Sequence, residues 1–342
     1  MPETENNKHR IIKKRFIKVK LRKYFCAAAL MLTAVCMTGC AKEKAEESVT
    51  VKVGSLKGPT TMGMVNMMKD SEESKTEGKY TFTMETDPSV ITASLVNGDI
   101  DIALIPANMA SIVYGKTDSG VAVVDINTLG VLEVLTTDDS ITDMASLSGK
   151  TVALTGQGAT PEYALNYLLT QNNVEGCEQK YYSEALEVAA VLSSGEVTAA
   201  VLPEPFATVC MKQNENVRKA FTLTDAWDEL GNGSRFLTGV TVVRKDFYNS
   251  HPEAVKTFLK DHKKSTEKAV SDVPGTAELV ASYGIIEKAA VAEAALPSCS
   301  IVCIDGSEMK TALSGYLQVL YDQDPKSVGG NLPSDDFYLS FE

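Results

Sequence analysis

The chain has 342 residues, with 33 Lys and Arg against 45 Asp and Glu, and a formal net charge of −12 at pH 7. So acidic a chain lacks the basic surface that nucleic acid or anionic lipid would require. Its seven cysteines include no Cys-x-x-Cys pair and no Cys/His metal spacing, which argues against a zinc module or a disulfide framework.

The N-terminus stands apart from the rest. Nine Lys or Arg fall between Lys8 and Lys23, followed by the apolar, small-residue run Tyr24 to Gly39 and then Cys40. A basic region, a short apolar region and small residues before a cleavage point describe an export signal, and the apolar run is short for a membrane span. Met37-Thr38-Gly39-Cys40 resembles the bacterial lipobox, so residues 1–39 are expected to be removed and Cys40 to carry lipid at the membrane surface. Nine basic and two acidic residues precede Cys40, so the remainder holds 24 basic and 43 acidic residues, a net charge of −19. That remainder, about 300 residues, is long enough for two lobes. Cys177, Cys210, Cys299 and Cys303 read as small buried residues, with a Cys299–Cys303 pairing left open.

Residues 40–48 read as a charged, Ala-rich tether. Val49, Val51 and Val53 then alternate with polar residues and start a strand, and Gly54 to Thr61 forms the first strand-to-helix turn. A Met-rich helical run follows over Met62 to Met68, and its methionines read as core filler. Tyr80 to Glu85 is a second strand, after which Asp87-Pro88 caps a helix ending at Asn97-Gly98. Leu95 to Pro106 aligns with Leu192 to Pro203 at a constant offset of 97 residues: Leu95 meets Leu192, Gly98 meets Gly195, Asp99 meets Glu196 and Pro106 meets Pro203. Each copy reads as a helix end, a glycine cap, a buried strand and a proline stop. The spacing predicts two related α/β lobes.

The clearest single stretch is Gly149 to Leu169. Thr151–Leu154 reads as a buried strand, Gly156 and Gly158 as a tight turn, and Thr160 as the cap of a helix with Pro161 in its first turn. The free amides and positive dipole end of such a helix suit an anionic group. Leu135–Ser140 is the first expected crossover between lobes, and Phe236–Val243 the second, returning as an apolar strand. Ser250–Glu253 reads as a capping box opening a helix to about Val270, with His251 and His262 taken as surface residues. A helix over Ser307–Tyr321 and a docked C-terminus over Phe337–Phe341 complete the chain.

Ligands in open α/β sheets sit beyond the carboxyl ends of the strands, which here means the turns at 57–61, 106–108, 156–160 and 203–206. The side chains expected to bind ligand are Lys57, Thr60, Thr61, Asn108, Gln157, Thr160 and Glu204, all donors or acceptors in those turns. Glu204 would repel an anion unless Lys57 or Arg235 balanced it, and Phe206 is the one aromatic in the four turns. Trp227 and Tyr163 are further aromatics within possible reach.

These residues carry a resemblance. Gly54-Ser-Leu-Lys-Gly-Pro59, Gly98-Asp-Ile-Asp-Ile-Ala103, Gly149 to Gly158, Val201-Leu-Pro-Glu-Pro-Phe206 and Pro252 to Leu259 resemble the solute-binding lipoproteins of ABC importers, in the nitrate/sulfonate/taurine and thiamine-precursor group. The resemblance covers roughly residues 49 to 325. It implies the two-lobed, class II periplasmic-binding-protein fold, α/β, with two crossover hinges and the ligand between lobes. Residues 49–136 and 239–342 would form lobe 1, and residues 137–238 lobe 2. It further implies a non-enzymatic, monomeric, membrane-tethered receptor on the extracytoplasmic face. Such a receptor would use no cofactor and no metal, and would deliver a small polar ligand, anionic or heterocyclic, to ABC permease subunits. The alternatives are an enzyme of the same fold, of the menaquinone-pathway or pyrimidine-synthesis type, and a ligand sensor without a transporter.

Overall fold

The computed structural model describes residues 49–341. The expected export signal, Cys40 and the expected tether lie outside the described residues. Val49–Glu342 forms one compact unit. Its strands are β1 (Thr50–Leu56), β2 (Lys79–Glu85), β3 (Ile102–Pro106), β4 (Val121–Leu129), β5 (Leu132–Thr136), β6 (Thr151–Thr155), β7 (Glu178–Tyr182), β8 (Ala199–Pro203), β9 (Arg218–Thr222), β10 (Leu237–Arg244) and β11 (Ile301–Ile304). They form two sheets, of order β11-β4-β10-β3-β1-β2 and β7-β6-β8-β5-β9.

The two sheets repeat one plan. β2-β1-β3 and β7-β6-β8 are parallel triplets, and each is followed by an antiparallel strand, β10 in the first sheet and β5 in the second. Each antiparallel strand reaches its sheet from the other lobe, so the lobes exchange one strand apiece. The 97-residue repeat lies inside this plan. Helix Pro88–Asn97 ends on Gly98 at φ 82° and helix Ala185–Ser194 on Gly195 at φ 78°, the left-handed region that glycine enters without a Cβ penalty. The caps donate to Leu95 O and Leu192 O respectively, and both chains continue into strands buried over four residues and stopped by proline.

Burial explains the segments. Met62, Met64 and Met67 are at most 1 % exposed and pack with Phe258, Val255 and Ile301 on one face of the six-stranded sheet. Full burial of such side chains contributes roughly 1.5–3 kcal/mol each. A second core runs through both lobes, joining Ile105 and Val123 to Val134 and Leu154 by way of helix Gly306–Gln323. That helix presents Met309, Leu313, Tyr316, Leu317 and Leu320 on one buried stripe.

Three expectations are corrected. The first crossover is not Leu135–Ser140, and the second lobe begins before residue 137. Leu132–Thr136 is fully buried and pairs with β8 and β9 in the second sheet, so the chain crosses between Leu129 and Leu132. Val121–Thr136 is buried throughout, its polar residues Asp125, Asn127, Thr128 and Glu133 included, and Gly130 marks the break: a Cβ there would lie 2.0 Å from the Phe236 ring. Ser250 does not cap the long helix. It ends the short helix Lys245–Ser250, its hydroxyl donating to Asp246 O, and the long helix runs Pro252–Ser271. His262 is not a surface residue, being 0 % exposed on the inner face of that helix.

Candidate ligand site at the strand ends

Register places the turns. In the first sheet Ser55 lies opposite Leu104, and Gly239 lies opposite both Pro106 and Thr128. The turns at 57–61 and 106–108 therefore share one sheet end with the ends of β4 and β10 that lead into the crossovers. In the second sheet Ala153 lies opposite Ala200, Leu132 opposite Pro203, and Thr222 opposite Glu133. The turns at 156–160 and 203–206 thus share an end with the same two crossovers. Gly239 sits where backbone, Asn127 and Thr60 converge: a Cβ on it would lie 2.5 Å from both Asn127 Oδ1 and Thr60 Cγ2.

The predicted side chains divide into engaged and available groups. Thr60 donates to Leu56 O at 3.1 Å, and Thr61, fully buried, donates to the same carbonyl and lies 2.8 Å from the Ser55 hydroxyl. Both hydroxyls therefore hold the first turn together. Lys57 is exposed and makes no ion pair among the described residues. Asn108 donates through Nδ2 to Ser327 O at 3.2 Å, tying its helix to the segment after helix Gly306–Gln323. Thr160 does not cap: the helix begins at Thr160 itself, with Ala159 in the cap position. Its hydroxyl instead lies towards the buried Tyr316 phenol, whose pKa burial pushes upward with Thr160 opposing.

Gln157 is exposed and lines an open hollow of about 520 Å³ with Gly156, Tyr181, Tyr182, Ser183 and Glu187. This hollow lies where parallel strands β6 and β7 end. The turn after β7 was not among the four turns expected, although the Tyr181-Tyr182 pair at a strand end was a legible signal. Carboxylates already occupy amides at both turns. Gly158 N–H donates to Glu162 Oε2 at 2.5 Å, and the Ser183 and Glu184 amides donate to Glu187 Oε2 at 3.0 and 3.3 Å.

Glu204 is 3 % exposed and accepts from Thr208 Oγ1 at 2.9 Å and from Thr208 N–H at 3.3 Å, so it holds the start of helix Phe206–Gln213. Burial first, and then the nearby Glu133 charge, push its carboxyl up to about 7, against the Thr208 bonds. Glu133, 2 % exposed, is also raised by burial, with Lys219 opposing. The Lys219 ammonium is 3.2 Å from Glu133 Oε2, close enough for an ion pair but off the line of a hydrogen bond. Lys219 also donates to Ser298 Oγ at 3.1 Å, so this buried polar group joins the second sheet to the segment leading into β11. Arg235, the other proposed counter-charge, pairs with Asp228 at 3.1 Å. Trp227 is fully buried among Tyr167, Phe236 and Tyr316, while Phe206 is 38 % exposed at the fourth turn. Cys177, Cys210, Cys299 and Cys303 are all free thiols.

Two α/β lobes that exchange antiparallel strands, with their strand-end turns gathered at the crossovers, define the class II periplasmic-binding-protein fold. The chain belongs to the NMT1/THI5-like family, whose model matches residues 79–275. An ABC transporter structure from Parabacteroides distasonis is similar at 22 % identity, with TM-score 0.72 over 86 % of this chain and 99 % of that one. The periplasmic aliphatic sulphonate-binding protein SsuA of Escherichia coli is similar at 15 % identity, with TM-score 0.65 over 86 % and 94 %. A putative periplasmic sulfonate-binding protein from Methylobacillus flagellatus is similar at 17 % identity, with TM-score 0.63 over 86 % and 93 %. No curated protein sequence matches the chain significantly.

Proposed function

We propose that this chain is the extracytoplasmic solute-binding protein of an ABC importer, held to the membrane by lipid on Cys40, and that it closes its lobes on a small nitrogen heterocycle, neutral or cationic. The transport role is supported by the family, by the fold shared with transporter binding proteins, and by strand-end turns gathered beside two crossovers that can act as hinges. The observation that carries the ligand class is the carboxylate already seated at the starts of helices Thr160–Gln171 and Ala185–Ser194. With Glu162 on the Gly158 amide and Glu187 on the Ser183 and Glu184 amides, a sulfonate or nitrate there would meet negative charge rather than free N–H groups. A ring N–H or amine finds acceptors instead, and Tyr181, Tyr182 and Phe206 supply aromatic faces for stacking.

The test is native mass spectrometry of the purified protein, followed by thermal-shift titration with pyrimidines and other nitrogen heterocycles beside sulfonates and nitrate. The expected result is a co-purifying or selectively stabilising heterocycle, released unchanged, since a ligand bound only to the folded state raises its melting temperature. Selective stabilisation by a sulfonate would overturn the ligand class. Chemical conversion of the ligand would overturn the transport role.

A further inference from the structure

The face of the six-stranded sheet covered by helix Pro252–Ser271 carries a polar group that the strand-end site does not use. Asp125 on β4 and His262 on that helix are both 0 % exposed, and Cys303 on β11 is half-buried beside them. One ligating atom from each lies within 4.8 Å of the other two. Asp125 Oδ2 is 3.0 Å from His262 Nδ1 and 3.9 Å from Cys303 Sγ.

We propose that Asp125, His262 and Cys303 form a binding site for a divalent metal ion of the zinc class, separate from the ligand site. Bonds of about 2.0–2.3 Å to carboxylate, imidazole and thiolate give tetrahedron edges of roughly 3.3–3.7 Å, so the two edges at Asp125 Oδ2 need shift by a few tenths of an ångström and the His262–Cys303 edge by up to about 1 Å. The mixed oxygen, nitrogen and sulfur set selects zinc over magnesium or calcium, which take oxygen ligands. Charge balances on binding: Asp125 is already a carboxylate, Cys303 releases its thiol proton to solvent, and the two negative charges neutralise the cation in a buried setting. The imidazole stays neutral, its single proton passing to Nε2 while Nδ1 turns its lone pair to the metal. His262 Nε2 is buried with no hydrogen-bond partner among the described residues, so binding exchanges the Nδ1–Asp125 hydrogen bond for the metal bond and leaves Nε2–H to be met by a water, a cost the metal bonds must exceed.

The surroundings suit a built site. Thr241 Oγ1 donates to Asp125 Oδ1 at 2.7 Å, and Asn127 Nδ2 donates to Thr241 Oγ1 at 3.1 Å, which orients the carboxylate and leaves Oδ2 for the ion. The three ligands come from two strands and a long helix, rigid elements that hold the geometry before binding. Cys303 lines an open hollow of about 470 Å³ with Lys263, Thr266, Glu267 and Ile301, which provides entry and room for water as the fourth ligand. Residues 125, 262 and 303 lie in three distant stretches, so no sequence spacing announces the group.

The test titrates the purified, chelator-treated full chain with cobalt(II) and then zinc(II). The expected result is one equivalent bound, a near-ultraviolet thiolate-to-cobalt absorption lost on zinc addition, and a raised melting temperature with either metal. Cys303→Ser, a half-buried isosteric change that leaves the fold standing, should abolish the thiolate band. Thr241→Val should weaken zinc binding about 10- to 100-fold. Failure to bind a stoichiometric ion, or a thiolate band that persists in Cys303→Ser, would overturn the site. Neither result depends on the transport reading.

Discussion

Glu204→Gln tests the electrostatics of the interlobe contact. The Glu204 carboxyl is 3 % exposed, and burial pushes it from an ordinary value near 4.5 up to about 7. A carboxylate whose folded pKa is raised binds more protons in the native state than in the unfolded state. Stability is therefore largest at low pH and falls as pH rises from the unfolded value through the folded one. A separation of about 2.5 units corresponds to roughly 3 kcal/mol in total, of which about 2–3 kcal/mol falls between about pH 5 and about pH 8. Glutamine keeps an oxygen acceptor for Thr208 N–H and never ionises. The variant should therefore match the parent near pH 5 and exceed it by about 2 kcal/mol near pH 8. Urea unfolding followed by the fluorescence of Trp227, the one tryptophan of the chain, measures both curves. Equal pH slopes for variant and parent, or a variant less stable at the higher pH, would show that Glu204 titrates normally and that its burial carries no penalty.

Three further outcomes follow from the same structure. Gln157→Ala should weaken ligand binding severalfold by calorimetry and leave the melting temperature unchanged, because Gln157 is exposed, whereas Tyr182→Ala should weaken binding and also lower the melting temperature, because Tyr182 packs partly buried against the second-lobe core. Gly239→Ala should cost about 1–3 kcal/mol in denaturant unfolding, since its Cβ would press on Asn127 Oδ1 and Thr60 Cγ2 at 2.5 Å, and should lower ligand affinity by displacing the first turn. Cys40→Ala should move the protein from the membrane to the soluble fraction on cell fractionation; a membrane-bound product lacking acyl label would show that the hydrophobic leader anchors it instead.

Local chemistry in the sequence reached far into the fold. Asp87 caps its helix through Ser89 N–H at 2.8 Å as the Asp-Pro pair predicts, and both glycine caps of the 97-residue repeat adopt the left-handed backbone. What failed was whatever depends on partners distant in the chain. Polar residues are scattered on both sides of the break in Val121–Thr136 (Asp125, Asn127, Thr128 and Glu133), so its division between sheets follows from pairing with β8, β9 and β10 rather than from composition. His262 reads as one polar residue on an amphipathic helix, and only tertiary packing brings it to Asp125. At the ligand site, the turns could be located from strand-end logic, but the engagement of each hydroxyl could not. Thr61 and Thr160 differ little as sequence, yet one seals its own turn and the other lies towards a phenol of the C-terminal helix.

Helix Gly306–Gln323 and the residues after it limit how such lobes can part. Asn108 and Ser111, in the first turns of a first-lobe helix, bond Ser327 O and Val328 O at 3.2 and 2.7 Å. On the second-lobe side Tyr163 bonds Asp324 at 3.1 Å, and Gln323 donates to Tyr163 O at 3.0 Å. The same helix sends Tyr316 against Trp227 and Phe236, which flank the second crossover. Rotation about the crossovers displaces groups in proportion to their distance from that axis, so the aromatic stack at the crossover moves least. Ser111 is buried while the Gln323 contact is exposed, so the first-lobe bonds are the more costly to break. Opening the lobes would therefore carry the C-terminal helix with the first lobe, pivot it on the Trp227 stack, and part the Tyr163 contacts.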